Sequence, residues 1–297
     1  ERTINKKRVL GTVSRIITPL IDFFIQSLLE NKRIIFTDCV GLSHDAGKIN
    51  NHEAYQHLVF PIVVDKSNLC HHQLDRELRF GWVGRVDNDF KVGPLISLLH
   101  DLDLHHRDGL VNINKFVVIG DGNAMDLLRE EIKRLSFNVT ILGMVPNTVL
   151  SKTINDNMDV LCAMGTSILE GAKIMLPSII VNPFSLGASE QSGYRWIYDS
   201  IGYSLGEFSL GKVSPIQRKV DLKVILSELE LIGYDYHSVR SYEYVDSFYP
   251  DSVFGALSEF INEGGNNTGL IDKLFFFVSF NFRVMKKLIK RFKKKEK

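Results

Sequence analysis

The chain has 297 residues, of which 44% are hydrophobic and 24% are charged, and its formal net charge is +1. This composition is typical of a soluble protein with an ordinary core, and no apolar run approaches the roughly 18–20 residues that a helix needs to cross a bilayer. Three scattered cysteines form no metal-ligand pair and indicate a reduced, cytosolic setting.

The N-terminal part contains two predicted elements. Apolar side chains at helical spacing across Val9–Leu29 predict an amphipathic helix that is interrupted near Pro19. The run Arg33–Val40 predicts a short strand. We interpret His44 and Asp45, in the loop after it, as polar loop residues in preference to an acid–base pair.

From Arg79 onward, strands and helices alternate regularly. Apolar and β-branched runs predict strands at Phe80–Val83, Phe116–Ile119, Val139–Leu142, Val160–Leu161 and Ser178–Val181. Helices are predicted at Pro94–Leu102, with Pro94 in the first turn, and at Ala124–Leu135. This alternation implies βαβ units, and therefore an α/β fold with a Rossmann-like, doubly wound parallel sheet.

The loops after these strands form the predicted binding rim, because ligands of such sheets sit beyond the carboxyl ends of the strands. They are Gly84–Arg85, Gly120–Gly122, Gly143–Val145 and Gly165–Glu170. Beyond the sheet, a polar and aromatic stretch at Ser189–Glu207 precedes two predicted helices, near Val220–Leu231 and Asp251–Ile261.

The stretch Met164–Pro183 carries a turn of small residues that leads into a helical segment. Backbone N–H groups at the helix start, in Gly165, Thr166 and Ser167, suit an anion such as phosphate. Glu170 has two interpretations. It either closes an S-x-x-E capping box with Ser167, or presents its carboxylate to sugar hydroxyls.

Gly120-Asp121-Gly122, directly after a strand, also allows a dinucleotide-binding interpretation. The third glycine of that fingerprint is absent, since Met125 occupies its place, and Thr140 stands where the ribose-binding acid is expected. A nicotinamide-dependent oxidoreductase is therefore disfavoured.

Four motifs in order fit a different class. They are V-G-R-V-D-N-D-F-K at Val83–Lys91, V-V-I-G-D-G at Val117–Gly122, V-T-I-L-G-M-V at Val139–Val145 and G-T-S-I-L-E-G-A-K-I-M-L-P at Gly165–Pro177. Together they resemble the C-terminal, donor-binding domain of family-4-type retaining glycosyltransferases of the GT-B fold. The resemblance covers roughly residues 79–183 well and 184–261 loosely.

The resemblance implies roles for the rim residues. Arg85 and Lys91 resemble the pair that holds the donor diphosphate, and they would stabilise charge on the leaving group without a metal. Glu170 would bind both ribose hydroxyls. The remaining implied donor-binding positions are Gly84, Gly120 and Gly122, then Gly143, Met144 and Val145 for the nucleobase, and Gly165, Thr166 and Ser167 for phosphate.

Two features depart from the family pattern. Cys162 stands where the family has a second Glu, eight residues before the ribose-binding one, and N-P-F-S-L-G-A-S-E at Asn182–Glu190 replaces its glycine-rich loop. Residues 1–78 are shorter than a complete N-terminal domain, and we expect them to be its last helix and strand plus a linker. Since Met is missing, we also expect that Glu1 is not the natural start.

The C-terminal segment, residues 263–297, is predicted to be a linker and a basic amphipathic helix. Arg283–Lys297 carries a local charge of +8, which leaves −7 for the rest and disfavours nucleic-acid binding. An apolar stripe runs at helical spacing there, at Val278, Phe282, Met285, Ile289 and Phe292. A solvated tail explains the charge, whereas a helix on an anionic membrane surface explains both features.

The sequence thus predicts a cytoplasmic glycosyltransferase, peripheral at the inner face of the cell membrane, whose donor domain spans residues 79–262. It would need no cofactor besides its substrate, a nucleotide-diphosphate sugar, and would transfer the sugar to a polysaccharide or a lipid-linked acceptor. The alternative is a non-catalytic, nucleotide-sugar-binding scaffold subunit.

Overall fold

The computed structural model describes residue 23 and residues 25–46, 56–67, 77–184, 193–207 and 219–263. Its centre is a six-stranded sheet in the order β3-β2-β1-β4-β5-β6. Strands β1 to β5 are parallel, and β6 pairs antiparallel with β5. The strands are β1 Leu78–Val83, β2 Ile113–Ile119, β3 Asn138–Gly143, β4 Val160–Ala163, β5 Ser178–Val181 and β6 Tyr194–Trp196.

All five strands predicted from Phe80 onward are confirmed, and β6 was missed. Its three residues are all buried, but Arg195 stands in the middle and the run is too short to show alternation. The α/β prediction with a doubly wound parallel sheet is confirmed by the strand order and pairing.

Helices connect the parallel strands and cover both faces of the sheet. The α-helices whose bounds the structure describes are α1 Cys39–Ala46, α2 Val92–Arg107, α3 Met125–Ile132, α4 Asn147–Asn157, α5 Leu169–Ala172, α6 Leu222–Ile232, α7 Tyr234–Asp246 and α8 Pro250–Glu263. Of these, α2, α3, α6 and α8 were predicted with shifted ends. Helix α7 was missed because its buried residues are His237, Ser238, Ser241 and Val245, so hydrophobic periodicity does not reveal it.

The core has two layers, one on each face of the sheet. Alternate strand residues point to opposite faces, so Phe80 and Trp82 join the cluster under α2, α3 and α6, whereas Val83 joins the cluster under α4 and α5. Side chains from the interiors of β1, β2, β4 and β5 are buried in these clusters, whereas those of the edge strand β3 are at most partly buried. The rigid centre leaves the strand ends to carry exposed loops.

The prediction of a strand at Arg33–Val40 is wrong. Only Phe36 makes an isolated parallel bridge, to Val59, and the predicted loop after it is helical from Cys39. The cause is a helix cap, because the Asp38 carboxylate accepts the Gly41 N–H at 2.6 Å and so starts α1.

Most of the other predictions for the two ends of the chain are not tested by the structure. Residues 25–30 are helical, but most of Val9–Leu29 lies outside the described residues, as does everything after residue 263. The domain boundary at residue 78 stays a prediction. Among the described helices, none has the length and apolarity that crossing a membrane requires.

Candidate functional site

The sheet has a topological switch between β1 and β4. The chain builds β1, β2 and β3 outward in one direction and then returns to place β4 on the other side of β1. Open α/β sheets bind ligands in the crevice that such a reversal opens at the carboxyl ends. Trp82 pairs with Cys162 across β1 and β4, so the loop starting at Gly84 and the turn starting at Met164 flank this crevice.

Gly84 and Gly120 fasten neighbouring strand ends together. The Gly84 N–H donates to the Ile119 carbonyl at 3.0 Å, and the Gly120 N–H donates to the Gly143 carbonyl at 2.9 Å. A Cβ on Gly120, whose φ is 145°, would lie 1.9 Å from the Gly84 carbonyl oxygen. Both amides are therefore engaged within the protein, and these glycines shape the rim by allowing close packing.

Gly122 belongs to the same packed corner. A Cβ there would lie 2.2 Å from the Val86 carbonyl oxygen, and its N–H donates to the Asp121 carboxylate at 2.8 Å. The Asp87 carboxylate accepts the Asn123 N–H at 3.2 Å. The sequence placed Gly120 and Gly122 in the donor site, and the structure places both at the rim with their amides engaged.

Arg85 and Lys91 lie together in the loop after β1. The Arg85 side chain is 64% exposed and pairs with the carboxylates of Asp87 at 2.7 Å and Asp89 at 3.6 Å. Burial lowers the pKa of Lys91, repulsion by Arg85 lowers it further, and Asp89 and Asp87 oppose both effects. The loop therefore holds two adjacent cations, of which Arg85 forms ion pairs with carboxylates of the same loop.

Helix α2 begins at Val92, earlier than the predicted start at Pro94, and Lys91 is its N-cap. The Val92 N–H donates to the Asp87 carbonyl at 3.1 Å, and Pro94 has no N–H. Within the first turn of α2, the N–H of Gly93 therefore remains to bind an anion. An anion here would be bound mainly by the side chains of Arg85 and Lys91.

Across the crevice, the turn after β4 is a 3-10 helix, Gly165–Ile168, that continues into α5. The Gly165 N–H donates to the Leu205 carbonyl at 2.7 Å, so it is not available for phosphate. The N–H groups of Thr166 and Ser167 occupy the first turn, where a helix offers no acceptor. These two amides are the donors that the turn presents.

The capping-box interpretation of Glu170 is wrong. Ser167 lies inside the 3-10 turn, and within the described chain neither this turn nor α5 has a side-chain cap. The Glu170 carboxylate instead pairs with Lys173 at 2.7 Å, with the two side chains 24% and 12% exposed. The acid–lysine spacing i, i+3 was a signal for this pair that sequence reasoning did not use.

The loop after β3 is open. Gly143 has φ 68°, and a Cβ there would meet nothing within 4 Å. Met144 is 78% exposed, whereas Val145 packs against the core cluster under α4 and α5. The free space at Gly143 and the exposed Met144 side chain leave room for a planar nucleobase. The nucleobase-binding role of this loop stays a prediction.

Cys162 cannot contact a ligand at the rim. It lies within β4, is fully buried between its strand partners Trp82 and Ile179, and burial raises its pKa. A thiol in this place is part of the core. The position counted eight residues before Glu170 therefore belongs to the sheet interior, and any acid near a bound sugar must come from another segment.

Sequence reasoning missed a polar cluster at the end of β5. Arg195 is fully buried and donates to the Asn182 side chain at 3.0 Å and to the Ser204 carbonyl at 3.2 Å. Glu207 comes three residues after Ser204. The only sequence signal was an arginine within a short aromatic run, which by itself indicates nothing about burial.

No family model matches this chain, and no curated protein matches it in sequence. Several solved glycosyltransferase structures are similar to it. A mutant of S. aureus TarM in complex with fondaparinux, α-GlcNAc-glycerol and UDP is 18% identical, with a TM-score of 0.45 over 70% of this chain. The lipopolysaccharide outer core galactosyltransferase WaaB, in its apo form, is 13% identical, with a TM-score of 0.49 over 77%.

The pneumococcal O-GlcNAc transferase GtfA, in complex with UDP and GlcNAc, is 14% identical, with a TM-score of 0.43 over 78% of this chain. The matches cover 40%, 61% and 44% of TarM, WaaB and GtfA, so this chain spans about half the length of these structures. WaaB is described as a galactosyltransferase and GtfA as an O-GlcNAc transferase.

Proposed function

We propose that this chain is the donor-binding part of a glycosyltransferase that moves a sugar from a nucleotide diphosphate to a polysaccharide or lipid-linked acceptor. The observation that carries the proposal is the crevice between β1 and β4. Arg85 and Lys91 flank it on one side, and the amides of Thr166 and Ser167 with the Glu170 carboxylate flank it on the other. Cations and amide donors on opposing walls suit a diphosphate, and a carboxylate beside them suits ribose hydroxyls.

In the proposed reaction, the bond between the anomeric carbon and the phosphate oxygen breaks, and its electron pair stays on the phosphate. An acceptor hydroxyl forms the new bond to the anomeric carbon, and its proton passes to the released diphosphate. Arg85 and Lys91 stabilise the negative charge that develops on the leaving diphosphate. They supply this stabilisation without a metal, and we propose a hexosyl transfer with retention of configuration.

The acidic neighbours of Arg85 fit this function. Asp87 and Asp89 pair with the guanidinium, so a phosphate must take their place. Because the Arg85 side chain is 64% exposed, these ion pairs contribute little free energy, about 0–1 kcal/mol, and can be exchanged for contacts with a phosphate. The carboxylates keep the guanidinium close to the crevice until the donor arrives.

Binding measurements test the proposal. We expect UDP, GDP or ADP and the matching nucleotide sugars to raise the melting temperature, because a ligand that binds the folded state stabilises it. Isothermal titration should give one site for the best of them, and NAD should bind no better than AMP. Absence of binding by every nucleoside diphosphate and nucleotide sugar would contradict the proposal.

A scaffold subunit that binds a nucleotide sugar without transferring it is the second candidate. The burial of Cys162 in β4 favours it, since that strand brings no acid to the crevice. Single-turnover measurements with a radiolabelled sugar donor separate the two candidates. Release of nucleoside diphosphate that depends on an added glycan or lipid acceptor supports the enzyme, and stable binding without release supports the scaffold.

We also propose a peripheral position on an anionic membrane for the cytoplasmic protein, as expected for a bacterial surface-polysaccharide enzyme. The support is the apolar stripe and the +8 charge of the C-terminal segment, where each basic residue contributes about 1 kcal/mol near such a surface. The chain should co-sediment with anionic but not neutral liposomes. A chain that ends at Gly269 should lose this binding and keep donor binding, whereas liposome binding that survives the truncation refutes the proposal.

A further inference from the structure

A short segment, Ser204–Glu207, crosses the carboxyl ends of β4 and β5, and we call it the strap. Its Leu205 carbonyl accepts the Gly165 N–H at 2.7 Å, which joins it to the turn at the crevice. A Cβ on Gly206 would lie 3.5 Å from Pro183 Cδ and 3.7 Å from Met164 Cβ, so the strap lies against the first residues beyond both strands. The strap is therefore part of the crevice wall.

Arg195 holds the strap in place. Its guanidinium donates to the Ser204 carbonyl at 3.2 Å, to Asn182 Oδ1 at 3.0 Å and to Ser200 Oγ at 3.1 Å. The same Asn182 oxygen accepts the Glu207 N–H at 3.3 Å. Because Arg195 is fully buried, these contacts fix the backbone on either side of the strap's two central residues.

Glu207 brings a carboxylate to this buried arginine. Burial lowers the pKa of Arg195, and the charge of Glu207 is the largest influence that opposes this shift. Burial also raises the pKa of Glu207, while Arg195 and Lys219 oppose this rise. Among the described residues, the Glu207 side chain makes no hydrogen bond or ion pair; its one hydrogen bond is through the backbone N–H. Arg195 and Lys219 partly balance the charge of this half-buried carboxylate, but its oxygens have no hydrogen-bond donor among the described residues, so a ligand can supply one.

We propose that Glu207 is a sugar-contacting residue of this crevice, and that its carboxylate accepts hydrogen bonds from hydroxyl groups of the transferred sugar. The inference rests on the proposed donor-binding function. A carboxylate repels phosphate, so the diphosphate itself is not its partner. The sugar is joined to the diphosphate in the donor, and its hydroxyl groups provide the donors that Glu207 lacks.

The test compares UDP with UDP-glucose, UDP-galactose and UDP-GlcNAc by titration calorimetry on wild type and Glu207→Gln. The variant should lose about tenfold in affinity for the best nucleotide sugar, as expected when a charged acceptor becomes neutral, while affinity for UDP changes by less than about twofold. Glu230→Gln, an exposed change on α6 with the same loss of charge, should leave both affinities unaltered.

Other outcomes overturn the inference in distinguishable ways. If wild type binds a nucleotide sugar and Glu207→Gln binds it equally well, Glu207 is not a sugar contact and the proposed function stands. Equal losses for UDP and for the nucleotide sugar would assign Glu207 to the nucleotide or to the shape of the strap. If wild type binds none of the four probes, the UDP-linked form of the function and this inference fail together.

Discussion

At the amino edge of the sheet, where β1 and β4 begin, Arg79 and Asp159 bind each other through several hydrogen bonds, the shortest 2.6 Å. The Asp159 carboxylate also accepts the Arg79 N–H at 2.7 Å, and Tyr234 donates to the Asp159 carbonyl at 3.0 Å. At the carboxyl edge, the same two strands end in an exposed Arg85 and in a turn whose first amides lack helical acceptors. The charges at the amino edge are paired and largely buried, whereas at the carboxyl edge Arg85 is paired but exposed to solvent.

This difference separates stability from binding within one sheet. A buried ion pair with all its hydrogen bonds made helps to fix the native structure, and removing one partner leaves the other as an uncompensated buried charge. Exposed cations and open amides contribute little to stability, and they are available to an anionic ligand. Substitutions at the two edges should therefore have opposite profiles.

The largest effect is expected for Asp159→Ala, which removes the carboxylate from Arg79. The loss should be about 3 kcal/mol of unfolding free energy, at the low end for a buried pair because the Arg79 side chain is 25% exposed. Urea denaturation measures it. Asp156→Ala, an exposed change nearby, is the control and should cost much less. Comparable stability of the two variants would contradict a stabilising role for the Arg79–Asp159 pair at the amino edge.

Arg85→Ala and Lys91→Ala should show the reverse profile. Each is expected to weaken nucleoside diphosphate binding by about 1–3 kcal/mol, the range for a lost charge-assisted hydrogen bond, with little change in melting temperature. Arg129→Ala, which removes an exposed cation from α3, serves as the control. Unchanged affinity in both test variants would remove this pair from the site.

A smaller effect is expected at Glu170, where the ion pair with Lys173 competes with the ribose interpretation. Glu170→Gln should weaken nucleotide binding by about 1 kcal/mol if its carboxylate binds hydroxyls. Lys173→Met breaks the same ion pair but leaves the carboxylate in place. If titration calorimetry shows equal affinities for both variants, Glu170 is only the partner of Lys173.

The smallest expected effect is a gain in affinity for UDP, in the variant Asp89→Asn. Asp89 pairs with Arg85 through Oδ2, while its Oδ1 accepts the N–H groups of Phe90 and Lys91. Asp89→Asn keeps an oxygen for the two backbone hydrogen bonds and removes the more distant of the two carboxylate charges that pair with Arg85. UDP affinity should rise by about 0.5 kcal/mol at low salt and less at high salt, because exposed pairs are screened. Asp108→Asn, with the same change of charge at the far end of α2, should show no gain.

Local patterns were enough to predict the central elements of this protein. In Ser178–Val181 three successive residues are apolar and β-branched, so such a run identifies a strand without knowledge of its neighbours. The same reasoning found the loops after β1 to β4 and therefore Arg85, Lys91 and Glu170, because the carboxyl ends of parallel strands lie at one edge.

Only the tertiary structure decided which of these groups are engaged. The Gly165 amide is occupied by the carbonyl of Leu205, which lies far along the chain, and Arg195 reaches Asn182 and Ser204 across a turn and a strand pair. Such contacts join residues that are distant in sequence, and hydrophobic periodicity carries no information about them. A buried arginine or an unpartnered carboxylate is recognisable only after the fold has determined which polar groups surround it, since the cost of burying a charge depends on those neighbours.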